Sequence, residues 1–364
     1  MVDLTKSEKA CILLQCIDKL SVKKRLSVLS LFDDFGDIFD LYAEYRDIIV
    51  QKTSESFYDA LKEGIEKDVV GRELIECDKL GITPVTYVSE NYPDRLFNIS
   101  APPLVLFCRG RLELLSCDLS IGVVGSRKVS RYGVDTAEKF GRELADNGVV
   151  VVSGLARGID TASHKGALSV EGDTIAVVAT GLDTVYPPEN LSVFNEICEK
   201  GLVVTEYVTK TQAQPFRFPE RNRIITGLSD GLLVVEAGKK SGALITLDCA
   251  IEEGRECFIV PANINSATSA GSNERLRAMP HAITFDVSDI LNRFNRTKKE
   301  VLDVSAIQLD FEEAKIVELL EAGEKHFDEI LDMVDLDSPS LSALLTRMEI
   351  SGIIKDLGSN YYGL

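Results

Sequence analysis

Six short runs built almost entirely from Val, Ile, Leu and Ala, at 121–125, 149–153, 174–179, 202–206, 231–236 and 256–260, constrain the fold of this 364-residue chain more than any other feature. Strands with one wet face alternate apolar and polar residues, whereas strands covered on both faces read as continuous apolar runs. Helical periodicity fills the intervals, as at Tyr132–Asn147 and Asp160–Ser169. Asp160 is placed to cap one of these helices and Gly148 to stop the other. Strand then helix, repeated, predicts a doubly wound α/β domain with a mostly parallel sheet. Ligands of such sheets lie beyond the carboxyl ends of the strands.

The α/β domain is expected over 81–292. Before it, 1–80 shows apolar residues at three- and four-residue spacing over Ser7–Leu20, Val22–Phe32, Asp37–Ile49 and Ser54–Leu80, with Phe32-Asp-Asp-Phe-Gly36 as a break. This predicts a helical module, SAM-like or helix-hairpin-helix-like, that serves as a docking bundle or as an inert cap. Tyr92-Pro93 and Ala101–Gly110 form a connector ending in a strand. Residues 293–305 are polar and read as a linker. Within 306–364, three helices (Phe311–Glu321, Phe327–Val334, Ser340–Ser351) precede two short strands around Gly358-Ser-Asn360, the winged-helix pattern. Such domains often read DNA with the third helix. Residues 301–364 hold 14 acidic and 4 basic side chains, which favours protein contact over DNA contact there.

The net charge of −18 is spread over the whole chain, so what matters is where cations cluster. Several Arg and Lys sit at strand ends, and three arginines fall within Arg217-Phe-Pro-Glu-Arg-Asn-Arg223. Eight scattered cysteines without a C-x-x-C pair fit reduced thiols in a cytoplasm. Three histidines, none at ligand spacing to a cysteine, argue against a metal site. No basic-then-apolar leader opens the chain, and no apolar window reaches the ~18 residues of a membrane span.

Two strand ends carry the chemistry: Ile121-Gly-Val-Val-Gly-Ser-Arg127 and Val150-Val-Val-Ser-Gly-Leu-Ala-Arg-Gly-Ile-Asp160. A strand end, a glycine turn and a helix N-terminus make an anion site, because backbone N–H groups can approach a phosphate where the helix dipole favours negative charge. Ser126, Arg127, Arg157, Gly158, Lys165, Arg221, Asn222 and Arg223 are the candidates, with Ser241 and Gly242 capping a further phosphate. Guanidinium groups match phosphate oxygens bidentately. Each arginine, taken singly, could equally be held by a carboxylate such as Glu206, Glu220 or Glu236. Phe216, Phe218 and Tyr186 could offer stacking faces, although core positions are expected for them. Phosphate contact plus stacking holds single strands without sequence preference.

Nucleotide-cofactor readings fare poorly. Gly122-Val-Val-Gly-Ser-Arg lacks G-x-G-x-x-G spacing. Gly238-Lys-Lys-Ser fails as a Walker A loop, because Leu233 stands where its first glycine belongs. No nucleophile elbow is present, His164 is a lone histidine near the site, and Glu236 is the one candidate acid/base. A nucleotide-cleaving or nucleotide-sensing protein using the same pocket therefore stays open as the alternative.

Taken as an ordered set, Gly125-Ser-Arg127, Tyr132-Gly133, Ser153-Gly-Leu-Ala-Arg-Gly-Ile-Asp160, His164, Gly181-Leu-Asp, Tyr186-Pro187, Phe218-Pro-Glu-Arg-Asn-Arg-Ile-Ile225, Val234-Val-Glu-Ala237, Ser241-Gly-Ala-Leu244 and Val260-Pro261 resemble the DprA/Smf family of DNA-processing proteins. The resemblance spans Tyr92 to Leu291. It implies an extended Rossmann-like domain that dimerises, binds incoming single-stranded DNA without catalysis or cofactor, and helps load the recombinase RecA in natural transformation. It also implies that Ser126, Arg127, Arg157, Lys165, Arg221, Asn222 and Arg223 line the DNA pocket. The chain departs from the family pattern at Pro261-Ala262, where Pro-Gly is usual, and at Gly271-Ser-Asn-Glu-Arg-Leu276 with Met279-Pro-His-Ala282. Glycine loss there would alter one rim of the pocket or a dimer contact.

Overall fold

The computed structural model describes residues 4–17, 20–298, 311–321, 323–334, 336–350 and 353–363. They form two compact units, 1–297 and 298–364. Most of the expected linker, from 299 on, lies outside the described residues.

The first unit is built on eight strands: β1 (Thr83–Thr86), β2 (Val105–Gly110), β3 (Ser120–Val124), β4 (Val150–Ser153), β5 (Thr174–Val177), β6 (Leu202–Thr205), β7 (Gly231–Val234) and β8 (Glu256–Ile259). They are ordered β1-β2-β6-β5-β4-β3-β7-β8. Neighbours from β6 to β8 pair in parallel, while β1 and β2 extend the β6 edge antiparallel. The chain leaves β3 toward β4 on one side and returns to β7 on the other, so the strand order reverses at β3. That switch point opens a crevice at the carboxyl ends of the strands.

All six apolar runs form strands because their alternating side chains are buried on both faces. Ile121, Val123, Val151 and Leu233 pack with Phe140 and Leu144 of the helix Arg131–Asp146. Val124, Val152, Leu232 and Val234 pack on the other face with Ile224, Ile225 and Leu247 of the helices Arg217–Gly227 and Gly242–Glu252. Gly148 follows the first of these helices at φ +72° and its N–H returns to Ala145, as a stop residue should. The β1 strand was not expected, since four residues containing Pro84 carry little strand signal. A proline is tolerated there because β1 is an edge.

The N-terminal helices are Lys6–Cys16, Val22–Leu29, Ile38–Leu41, Arg46–Lys52, Glu55–Glu66 and Val69–Leu80. The stretches expected as single helices at 37–49 and 54–80 are each broken. The second breaks at Asp68, which adopts φ +47° and caps the following helix by accepting from the Gly71 N–H at 3.0 Å. These helices are not separate from the sheet. Ile12, Leu13, Leu14 and Phe57 share one apolar core with Val105, Phe107 and Phe194. Buried polar ties reinforce it: Gln15 Nε2 donates to the Glu206 carbonyl at 2.5 Å, and Glu73 accepts from the Thr209 N–H at 2.7 Å.

The second unit packs the helices Phe311–Glu321, Phe327–Met333 and Ser338–Ile350 around Ile316, Ile330, Leu341 and Leu345. Its small sheet is ordered β10-β11-β9 (β9 Lys325–His326, β10 Lys355–Gly358, β11 Tyr361–Gly363). Ser359 and Asn360 both take positive φ, the geometry of a tight hairpin turn. Three helices and this hairpin give the winged-helix arrangement.

Candidate nucleic-acid interface

A cleft of about 890 Å³ opens at the switch point, lined by the turn after β3, the segment 213–222 and residues 238–243. The turn is fixed from behind. The Ser126 N–H donates to the Glu236 carbonyl at 2.7 Å, and Ser126 Oγ donates to the Lys128 carbonyl at 2.7 Å. A side chain at Gly125 would meet Ile159 at 2.3 Å. A side chain at Gly158, which holds φ +81°, would meet the Ser126 carbonyl at 2.3 Å. The two glycine turns noted in the sequence therefore interlock, and this pushes Arg127 and Lys128 out to the surface.

Arg127 lies over the Phe218 ring, 4.6 Å from its centroid, and Phe218 leans on Tyr186 at 5.6 Å. Among the described residues no carboxylate pairs with Arg127, Lys128 or Lys240, while Lys239 meets Glu274 at 3.7 Å with both side chains largely exposed. Ser241 caps the eleven-residue helix Gly242–Glu252, accepting from the Ala243 N–H at 3.3 Å. Its positive dipole end faces the same cleft. Four cations, a helix N-terminus and two aromatic rings thus surround one opening on an acidic protein.

Beneath the cleft floor, Arg221 is 3% exposed. Its Nη1 donates to the carbonyls of Gly154, at 2.7 Å, and Val177, clamping the ends of β4 and β5. Burial lowers its pKa to about 10, so it stays charged at neutral pH. Asp160 lies beside it, 7% exposed. Burial pushes its carboxyl up to about 6, against the pull of Arg221, the Ala156 N–H and Arg127. Asp160 is not the helix cap expected from the sequence. Gly158 holds that position, because only a residue that tolerates its backbone angles can make the turn, and Asp160 falls in the first turn of the helix Ile159–Leu168.

The raised carboxyl has a stability consequence. Between the unfolded value of about 4 and the folded value of about 6, the native state binds more protons than the unfolded one. Stability contributed by the neutral carboxyl is therefore lost as pH rises through that window. Chemical denaturation at pH 4.5 and pH 7 should show Asp160→Asn gaining on wild type as pH rises, by about 2 kcal/mol. A difference that does not change with pH would mean the carboxyl is ionised throughout.

The remaining candidates scatter. Asn222 lines the cleft and accepts from Arg221 Nε at 3.3 Å. Arg157 flanks it in an exposed ion pair with Glu189, the kind worth little and readily exchanged for a phosphate. Gly158 shapes the turn without lining the cleft. Lys165 is exposed in the last turn of its helix, away from the strand ends. Arg223 leaves the cleft altogether and is held by the buried Glu206, its own side chain half-buried. His164 is fully buried against Thr174 Oγ1 at 2.7 Å, and burial lowers its pKa to about 3, so it lies in the core and not at the site. Glu236 does not hold an arginine. It accepts from the Ser130 N–H, Ser130 Oγ, Thr268 Oγ1 and Ser269 Oγ, tying three segments together. Its two oxygens accept four hydrogen bonds, which fixes the carboxylate in place. The aromatics expected in the core are partly at the surface: Tyr186 is 40% and Phe216 54% exposed.

Lys128, Lys239, Lys240 and Asp160 also line the cleft, although none is among the phosphate-site candidates drawn from the sequence. The lysines left a signal. Gly238-Lys-Lys-Ser241 fails as a phosphate-wrapping loop but still places two cations at a helix N-terminus.

An open Rossmann-like sheet, with cations and a tilted pair of rings at its switch point where a dinucleotide fingerprint would stand, is the class of protein that this fold and cleft define. Residues 83–295 match the family model for DNA recombination-mediator protein A, and the chain belongs to that family. It is 40% identical over 214 residues to the DNA processing protein DprA of Bacillus subtilis strain 168, spanning 58% of this chain and 72% of that protein. With the DprA of Streptococcus pneumoniae R6 the identity is 43% over 203 residues, 56% of this chain and 71% of the relative. The solved structure of DNA processing protein A from Streptococcus pneumoniae superposes with a TM-score of 0.68 at 33% identity, covering 80% of this chain and 98% of that one. A structure from Helicobacter pylori, determined for the single-stranded DNA binding mode of its DNA processing protein A, gives 0.54 at 30% identity, with 59% and 95% covered.

Proposed function

We propose that this protein binds single-stranded DNA in the switch-point cleft and passes it to RecA recombinase during natural transformation and recombination, without chemical turnover. The observation that carries this reading is Arg127, in no ion pair among the described residues and lying over the Phe218 ring beside Tyr186. That arrangement offers a phosphate and a base at one point, and Lys128, Lys239 and Lys240 extend the phosphate track. The family membership supports the role in DNA recombination. A homodimer through the α/β domain would present two clefts to one strand and raise avidity with no new contact. The winged-helix unit, with its acidic excess, serves protein contact in this reading, and the protein works in the cytoplasm.

Fluorescence anisotropy with a labelled mixed-sequence oligonucleotide tests it. If four cations neutralise four phosphates, log Kd should change with log salt with a slope of about 3 in magnitude, from roughly 0.7 per phosphate on single strands. Duplex should compete poorly. A slope near zero sinks the electrostatic account, and turnover of a mononucleotide with no oligonucleotide binding would bring the nucleotide-cleaving reading forward.

A further inference from the structure

On the far side of the segment 212–220 lies a second cavity, of about 600 Å³, between the N-terminal helices and the start of the helix Arg217–Gly227. Lys23, Arg25, Arg217 and Arg223 reach it, against two carboxylates, Glu206 and Glu220. The carboxylates are engaged: Glu206 holds Arg223, and Glu220 accepts from the Tyr207 hydroxyl at 3.3 Å. Arg223 Nη1 is buried without a hydrogen-bond partner. Ser21, which starts the helix Val22–Leu29, makes no side-chain capping bond, so the first N–H groups of that helix stand at the cavity without a side-chain acceptor from Ser21. Phe216 lines the cavity with 54% of its surface exposed, and the Arg217 guanidinium sits 5.5 Å from its ring.

An exposed ring beside an excess of cations matches a base attached to a phosphate. The two openings are also continuous along the chain, since Pro215 and Phe218 line the cleft while Phe216 and Arg217 line the cavity. We propose that a single strand leaving the cleft crosses this ridge and seats further nucleotides in the second cavity, with a base on Phe216 and a phosphate against Lys23 and the start of its helix. A helix is about 10–12 Å across and stacked nucleotides rise about 3.4 Å each, so roughly three or four nucleotides span the ridge. The inference rests on the cleft being a single-strand site.

The test compares two oligonucleotides, of about six and about sixteen nucleotides, within the range of site sizes single-strand folds cover. Wild type is set against the double variant Phe216→Ala/Lys23→Glu, whose residues are both exposed, with thermal melting to show that the fold is kept. The double variant should bind the short oligonucleotide like wild type and the long one about tenfold more weakly, the order expected for one lost base stack. Its salt slope should drop for the long oligonucleotide alone. Unchanged affinity for the long oligonucleotide, or an equal loss for both lengths, overturns the second site. Failure of wild type to bind even the short one overturns the cleft reading and takes this inference with it.

Discussion

Replacing Arg221 with methionine lowers the free energy of unfolding by about 3–5 kcal/mol, the range found when one partner of a buried charged network is removed. The side chain is 3% exposed and holds the carbonyls of Gly154 and Val177. Methionine fills much of the volume but donates nothing, so two carbonyls lose their charged donor and Asp160 loses its nearest counter-charge. The result is read as a shift in denaturant midpoint with an unchanged m-value. A shift corresponding to less than about 1 kcal/mol would show that water replaces the guanidinium at little cost.

Arg127→Glu weakens single-strand binding by about 100-fold or more. A charge-assisted hydrogen bond to phosphate contributes roughly 1.5–3 kcal/mol, and the reversal adds repulsion from the new carboxylate. Each 1.4 kcal/mol is tenfold in Kd. Stability should change little, since Arg127 is exposed, lies over the Phe218 ring and acts on the buried Asp160 only as a weaker counter-charge than Arg221. Arg127→Lys separates the two parts of the effect: charge survives, while the planar stack and the fork do not. That variant should fall between wild type and Arg127→Glu. Equal binding by all three would place the DNA elsewhere on the molecule.

Much of the α/β core was legible because buried parallel strands advertise themselves as unbroken apolar runs. What escaped was helical phase. Arg221 and Arg223 look like one cluster in the sequence, yet two residues on a helix are about 200° apart. One therefore faces the cleft floor and the other the opposite cavity. Lys165 was misplaced for a similar reason: six residues into its helix, about 9 Å of rise carries it away from the strand ends. The break at Asp68 escaped because apolar residues continue on both sides of it and neither proline nor glycine stands at the break itself. Arg127, Ser241 and Gly242 line the cleft, because a strand end or a helix start fixes position without any phase to follow.

The apolar core that Leu13, Leu14 and Phe57 share with Val105 and Phe107 has a consequence for modularity. A segment that lends its side chains to another segment's interior is not a detachable accessory. Cutting the chain before Thr83 would leave Val105 and Phe107 facing water, an aggregation hazard of the kind large exposed apolar patches create. The helices and the sheet should accordingly melt in a single cooperative step, so natural variation in the helical segment is constrained by the sheet it covers as strictly as by any partner it meets.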